Sequence, residues 1–274
     1  MSSAREEIVI EPGRSDLHYW RDLWRYRELL FFLAWRDVLV HYKQTAIGVA
    51  WAVLRPVFTM AAFSFVFGKI AKLPSDGAPY PLLVFSGLLA WQLFANALAE
   101  AGASLVTNSS MVSKVYFPRM LVPASAVAVC VVDFFIALAV FAAFMAWFGR
   151  VPDARLLALP LFAVLAALLA LGAGLWIAAL NVKYRDFRYV VPFMIQLGLF
   201  VSPVGYASGI VPDDWRLLYA LNPMVGVIDG FRWALLGLPL HVPALWISAT
   251  WAALLLWSGV AHFRRTERGF ADVI

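Results

Sequence analysis

Apolar residues run along this chain in long blocks rather than alternating with polar ones, and the charges gather between the blocks. A helix rises ~1.5 Å per residue and bilayer hydrocarbon is ~30 Å thick, so roughly 20 consecutive apolar residues span it. Residues 44–68 form a block of 25 broken only by Arg55, residues 77–99 a block of 23 with no charge, and residues 120–149 a block of 30 broken only by Asp133. Residues 156–182 (27) and 189–212 (24) carry no charge, and Pro239 and Pro243 trim the last block to the 20 residues 244–263. The ten-residue alternating strands of a membrane barrel are not seen. The pattern predicts an all-α integral membrane protein with six transmembrane helices.

Two further segments read as helices that do not span. Residues 17–43 are too charged to cross, and Trp20, Trp24, Phe31, Trp35, Val38 and Tyr42 recur at helical spacing beside Arg21, Arg25, Glu28, Arg36 and Lys43. That predicts an amphipathic helix at the headgroup layer. A plain anchor and a docking or substrate-access surface both fit the composition. Residues 209–243 predict a pair of short helices between spans 5 and 6. The first has Pro212 at its start and Asp213 and Asp214 in its positive first turn, and stops near Leu221. The second is capped by Asn222, begins at Pro223 and ends near Gly237. Both are short enough to be re-entrant in the outer leaflet. Asp229 and Arg232 lie three apart on the second, and the simplest expectation is a surface ion pair that holds this helix together.

Lysine and arginine orient the chain. With the N-terminus inside, 15 of the 22 fall on inner segments and six on outer ones, Arg55 being within span 1. This predicts both termini on the cytoplasmic side. The first fifteen residues lack the early apolar core of a cleavable signal peptide. The expected organisation is a cytoplasmic N-terminal arm over 1–43, a six-helix transmembrane unit over 44–263 and a cytoplasmic tail over 264–274.

Composition narrows the function. Of 274 residues 63% are hydrophobic and 14% charged, where a soluble domain carries ~25% charged, which excludes a disordered chain and argues against a soluble enzyme. The single cysteine, Cys130, rules out a disulfide framework. His18, His41, His241 and His262 are scattered, and no phosphate-cradling GxxxxGK[ST] loop, HExxH or GxSxG motif occurs. Intramembrane charges are few. Arg55 can snorkel or pair, Asp133 near mid-span cannot snorkel easily, and pairing is the first expectation for both. The inner loops are short but rich in aromatics. Tyr184, Phe187 and Tyr189 interleave with Lys183, Arg185, Asp186 and Arg188, and the polar stretch from Thr107 through Ser109 and Lys114 ends in Tyr116. Headgroup anchoring and insertion into a partner's groove fit equally.

Four stretches carry a resemblance. TAIGVAWAVLRP (45–56), KVYFPRMLVP (114–123), NVKYRDFRYVVP (181–192) and LNPMVGVIDGFRWALLG (221–237) stand in the order expected for the membrane subunit of a type-2 ABC exporter. The chain most resembles the polysaccharide, O-antigen or teichoic acid branch. The resemblance implies a bacterial inner-membrane permease that is not itself an enzyme. It would bind no cofactor, with ATP and Mg held by a separate ATP-binding subunit. It implies a homodimer with two copies of that subunit, a lipid-linked glycan as cargo, contact with membrane lipid and no nucleic acid. It implies that the loops with Ser109, Lys114 and Tyr116, and with Lys183, Tyr184, Arg185, Asp186, Phe187 and Arg188, are coupling elements on the ATPase. Trp20, Trp24, Arg25, Trp35 and Arg36 would mark an interface helix at which substrate enters, and Asn222, Pro223, Asp229 and Arg232 an outer gate. The same architecture exporting teichoic acid, capsule, a drug or another lipid is one alternative. An integral-membrane glycan-modifying enzyme is the other, though no acid or histidine cluster points to it.

Overall fold

The computed structural model describes residues 16–43, 48–115, 117–184 and 186–270, and among these it contains helices, turns and no strand. Eleven α-helices follow one another among the described residues: α1 (Asp16–Arg25), α2 (Arg27–Lys43), α3 (Gly48–Phe63), α4 (Tyr80–Thr107), α5 (Ser109–Lys114), α6 (Leu121–Trp147), α7 (Leu159–Lys183), α8 (Phe187–Val201), α9 (Asp213–Ala220), α10 (Pro223–Leu236) and α11 (Val242–Thr266). Among the described residues five stretches are long and apolar enough to cross a bilayer: Val53–Ile70, α4, α6, Ala154–Lys183 and α11.

The central helix is α4. Ten consecutive residues, Leu82 to Trp91, are buried, so this helix is covered on every side by protein, as a uniformly apolar helix inside a bundle must be. The other helices pack around it and turn large apolar side chains outward, among them Phe58, Phe135, Leu161, Phe193 and Trp257. With hydrocarbon as solvent those faces need no cover. The main core surrounds Phe85, Phe141, Phe162 and Phe231, with Phe85 edge-on to Phe141 at 5.5 Å and Phe134 edge-on to Phe231 at 5.8 Å, geometries that suit aromatic quadrupoles. The α7–α11 crossing is set by two glycines. A Cβ on Gly259 would stand 2.4 Å from the Gly172 carbonyl oxygen, so the two backbones touch where no side chain fits.

The structure departs from the sequence expectations at two elements. The expected N-terminal helix is two helices, broken at Tyr26, whose carbonyl accepts from Leu29 N at 3.0 Å. The first packs its Tyr19 and Leu23 on a small core of Leu105, Val112, Phe117 and Phe263, and the second runs along α6. Over the expected fifth span, 189–212, the one α-helix is the end of the 15-residue α8, which begins at Phe187 and stops at Val201. At ~1.5 Å per residue it is about 22 Å long, short of the ~30 Å hydrocarbon. Pro203 is the reason. The residue before a proline is pushed out of the helical region, and Ser202 is extended at φ −86°, ψ 152°. The chain then runs on as buried non-helical backbone through Ser202, Pro203, Val204 and Gly205.

Candidate functional site

Buried irregular backbone within a bundle needs partners for its carbonyls, because neither water nor lipid supplies them. Two side chains meet that need and a third binds the Ser202 hydroxyl. Arg232 Nη2 donates to Val204 O at 3.2 Å and reaches Leu83 O at 3.5 Å, the Tyr80 hydroxyl donates to Gly205 O at 2.6 Å, and Asn222 Nδ2 donates to Ser202 Oγ at 3.0 Å. Asn222 also caps α10, its Oδ1 accepting from Met224 N at 3.0 Å, as its place before Pro223 predicts. Gly237 closes the same helix in the left-handed region at φ 71°. The two short helices expected here are present as α9 and α10.

The surface ion pair expected on α10 is not what forms. Asp229 and Arg232 are 3% and 2% exposed, and no direct ion pair joins them. Asp229 Oδ1 accepts from Ser208 Oγ at 2.8 Å while Arg232 turns to backbone carbonyls. The reason is packing: α10 is covered by α4, α7 and α11 together, so its polar residues are interior. Burial pushes the Asp229 carboxyl above its ordinary range, with the Arg232 charge and the Ser208 hydrogen bond opposing. Beside this pair lies a cavity of about 310 Å³ whose polar wall includes Asp76, Ser208, Tyr219 and His241. The Tyr219 hydroxyl meets that of Tyr206 at 2.9 Å. Tyr80, Ser208, Tyr219 and His241 were not among the residues singled out by sequence; the Ser202–Pro203 step inside an apolar block marks the break in the helix but not the side chains that gather around it.

At the opposite end stand the loops expected to meet a partner. α5 is a single short helix anchored by buried Val112, with Lys114 exposed. Asn108, between α4 and α5, accepts from Arg36 Nη2 at 3.1 Å and donates to Ser104 O at 3.0 Å, which ties α2 to the root of α5. Arg36 also pairs with Asp37 at 2.7 Å. The second loop is the connection from Lys183 at the end of α7 to Phe187 at the start of α8 rather than a separate helix. Tyr184 is 50% exposed with Lys183 Nζ 5.2 Å from its ring, Asp186 and Arg188 are exposed and Phe187 is half-buried. Tyr116 and Arg185 lie outside the described residues. Of the N-terminal pair of helices, Trp20, Trp24, Arg25 and Trp35 are exposed and Arg36 is partly buried. Trp24 carries Arg27 over its ring at 5.1 Å. Residues 267–270 fold back here: Arg119 N donates to Glu267 Oε1 at 2.8 Å, and the Arg119 guanidinium donates to the Glu267 carbonyl. Phe270 packs edge-on to Phe263 at 5.3 Å.

The intramembrane charges differ. Asp133 accepts a hydrogen bond from the Tyr42 hydroxyl of α2. Arg55 is exposed on α3 and forms no ion pair among the described residues. No group of His, Cys, Asp and Glu among those residues is arranged to hold a metal ion.

The comparisons with known proteins agree with this architecture. Residues 28–236 match the family model described as ABC-2 type transporter. A Myxococcus xanthus protein named O-antigen export system permease protein RfbA is 26% identical over 260 residues, covering 93% of this chain and 98% of that protein. A Klebsiella pneumoniae protein of the same name is 25% identical over 248 residues, covering 90% and 95%. A multi-span helical bundle with a shortened α8, matched to that family over most of its length, is a transporter membrane subunit: the chain belongs to the ABC-2 type transporter family.

Proposed function

We propose that this chain is the permease of an ABC exporter that moves an O-antigen-like, lipid-linked polysaccharide across the bacterial inner membrane. The observation that carries the reading is the near end-to-end match to two relatives named as O-antigen export permeases. On this reading two copies pair with two ATP-binding subunits. The α5 end lies in the cytoplasm with both termini, and the α9–α10 end faces outward. α5 and the 183–188 connection seat on the ATPase; the exposed Tyr184 and half-buried Phe187 suit a groove, with Lys183, Asp186 and Arg188 around its rim. ATP binding in the partner shifts the population between inward-open and outward-open arrangements, and this chain supplies the path and no bond chemistry. The Arg36–Asn108 hydrogen bond carries movement of α5 to α2, the helix along which the lipid-linked cargo enters.

The test is reconstitution of permease and ATPase in vesicles with radiolabelled lipid-linked glycan. Export is expected with ATP and absent without it, and movement of glycan by the isolated chain would overturn the reading. Replacing Tyr184 and Phe187 together with alanine should keep the complex inserted and hydrolysing ATP while transport falls at least about tenfold, the loss of roughly 1.4 kcal/mol of coupling. Unchanged transport would mean that the two rings only anchor their loop.

A further inference from the structure

We propose that the cavity beside Asp229 and Arg232 is a binding site for one neutral sugar unit, reached from the outer face of the membrane. It rests on the export reading above for its source of ligand and not for its geometry.

The cavity gathers side chains from separate parts of the chain: Asp76 after the first span, Ser208 from the broken backbone, Tyr219 from α9, Asp229 and Arg232 from α10, and His241 before α11. Arg232 borders it, and its Nε and Nη1 are buried and without a hydrogen-bond partner among the described residues. Buried unpaired donors on a cation are costly and rare, and they call for an acceptor, an ordered water or a ligand group. The charge balance says what kind of acceptor. Arg216, the other arginine at the wall, is already paired with Asp213 at 2.7 Å. That leaves Arg232 sharing the wall with His241 and with two carboxylates, Asp76 and Asp229. An anion drawn to Arg232 would be repelled by both, and a simple cation would meet the guanidinium. A hydroxyl accepts from Arg232 and donates to a carboxylate at once, so a neutral ring with several hydroxyls satisfies both sets without bringing a charge of its own. Ala207, Val225 and Leu238 supply an apolar wall for its C–H face. At about 310 Å³ the space stands at the small end of the ~300–1,000 Å³ of ligand pockets, room for one ring rather than a chain. A sugar held here after crossing would oppose backsliding of the glycan.

The experiment uses the permease–ATPase complex in lipid nanodiscs, with D-glucose, D-galactose, D-mannose, L-rhamnose and N-acetyl-D-glucosamine as probes in saturation-transfer NMR. At least one probe is expected to bind with millimolar affinity, to resist displacement by inorganic phosphate, and to weaken about tenfold in both Asp229→Asn and His241→Ala. Asp229→Asn preserves an acceptor for Ser208. His241 lies on the connection outside the helices, so a fold defect from one variant would not be shared by the other. The site is overturned if no probe binds, if binding is equal in both variants and the parent, or if phosphate competes. Surface polysaccharide after deletion of the gene is scored in parallel. Its loss together with no probe binding overturns the cavity and leaves the export reading; its persistence together with mutation-sensitive binding supports the cavity and overturns the export reading.

Discussion

Arg232 and Tyr80 do related work at different cost. Each donates to a carbonyl of the non-helical segment after α8, Arg232 to Val204 and Tyr80 to Gly205. Tyr80→Phe removes one donor and leaves a carbonyl without that partner, so a loss of about 1–3 kcal/mol is expected, visible as a lower melting temperature of the complex in nanodiscs. Arg232→Met should cost more, roughly 3–5 kcal/mol, because the Asp229 carboxylate stays buried with its nearby countercharge gone. Equal small losses would mean that the segment finds its partners elsewhere. The contrast shows what sequence discloses at this scale. Asn222 was legible because capping is local: one side chain, one amide two residues on. Asp229 and Arg232 were misread as a surface pair because a three-residue spacing says they are neighbours and says nothing about the three other helices that cover them.

Among elements, boundaries written into local chemistry were legible and those set by packing were not. α10 starts at Pro223 and ends before Gly237, as the proline and the left-handed glycine demand. α8 was read as part of a full span because its residues are apolar to Pro212; apolarity registers the environment, and only the Ser202–Pro203 step registers the break. The turn at Tyr26 has no proline or glycine to announce it, and Tyr19 and Leu23 before it and Leu29 and Leu30 after it pack on the same cluster. The α7–α11 crossing was equally silent, since Gly172 and Gly259 are 87 positions apart in sequence and meet only in space. Gly259→Ala should push the two helices apart at a cost of about 1–3 kcal/mol, typical of overpacking, and lower the yield of folded complex. A normal melting temperature in that variant would show that the crossing has slack.

Over the whole molecule, residues 264–270, at the start of the stretch read from sequence as a cytoplasmic tail, pack against the rest of the fold. Glu267 sits among Tyr19 of α1, Arg119 before α6 and Arg264 of α11, so one carboxyl joins both ends of the described chain to its middle. Burial is the largest influence on it and raises its pKa above the ordinary 4.5; the Arg119 amide, the Tyr19 hydroxyl and the two arginine charges oppose without prevailing. The neighbouring Tyr19 is also pushed up, first by burial and then by Glu267, and stays un-ionised. A carboxyl whose folded value lies above its unfolded one binds more protons folded than unfolded, so its contribution is fully present below about 4.5 and fades as pH rises through the folded value. Glu267→Gln keeps an oxygen for the Arg119 amide and removes the titration. The melting temperature of the parent complex should therefore fall relative to the glutamine variant as pH rises from 4.5 towards neutrality, with the gap constant at lower pH. If the parent instead gains on the variant over that range, the hydrogen bonds to the carboxylate outweigh its burial, and the closure of the fold is strongest when Glu267 is charged.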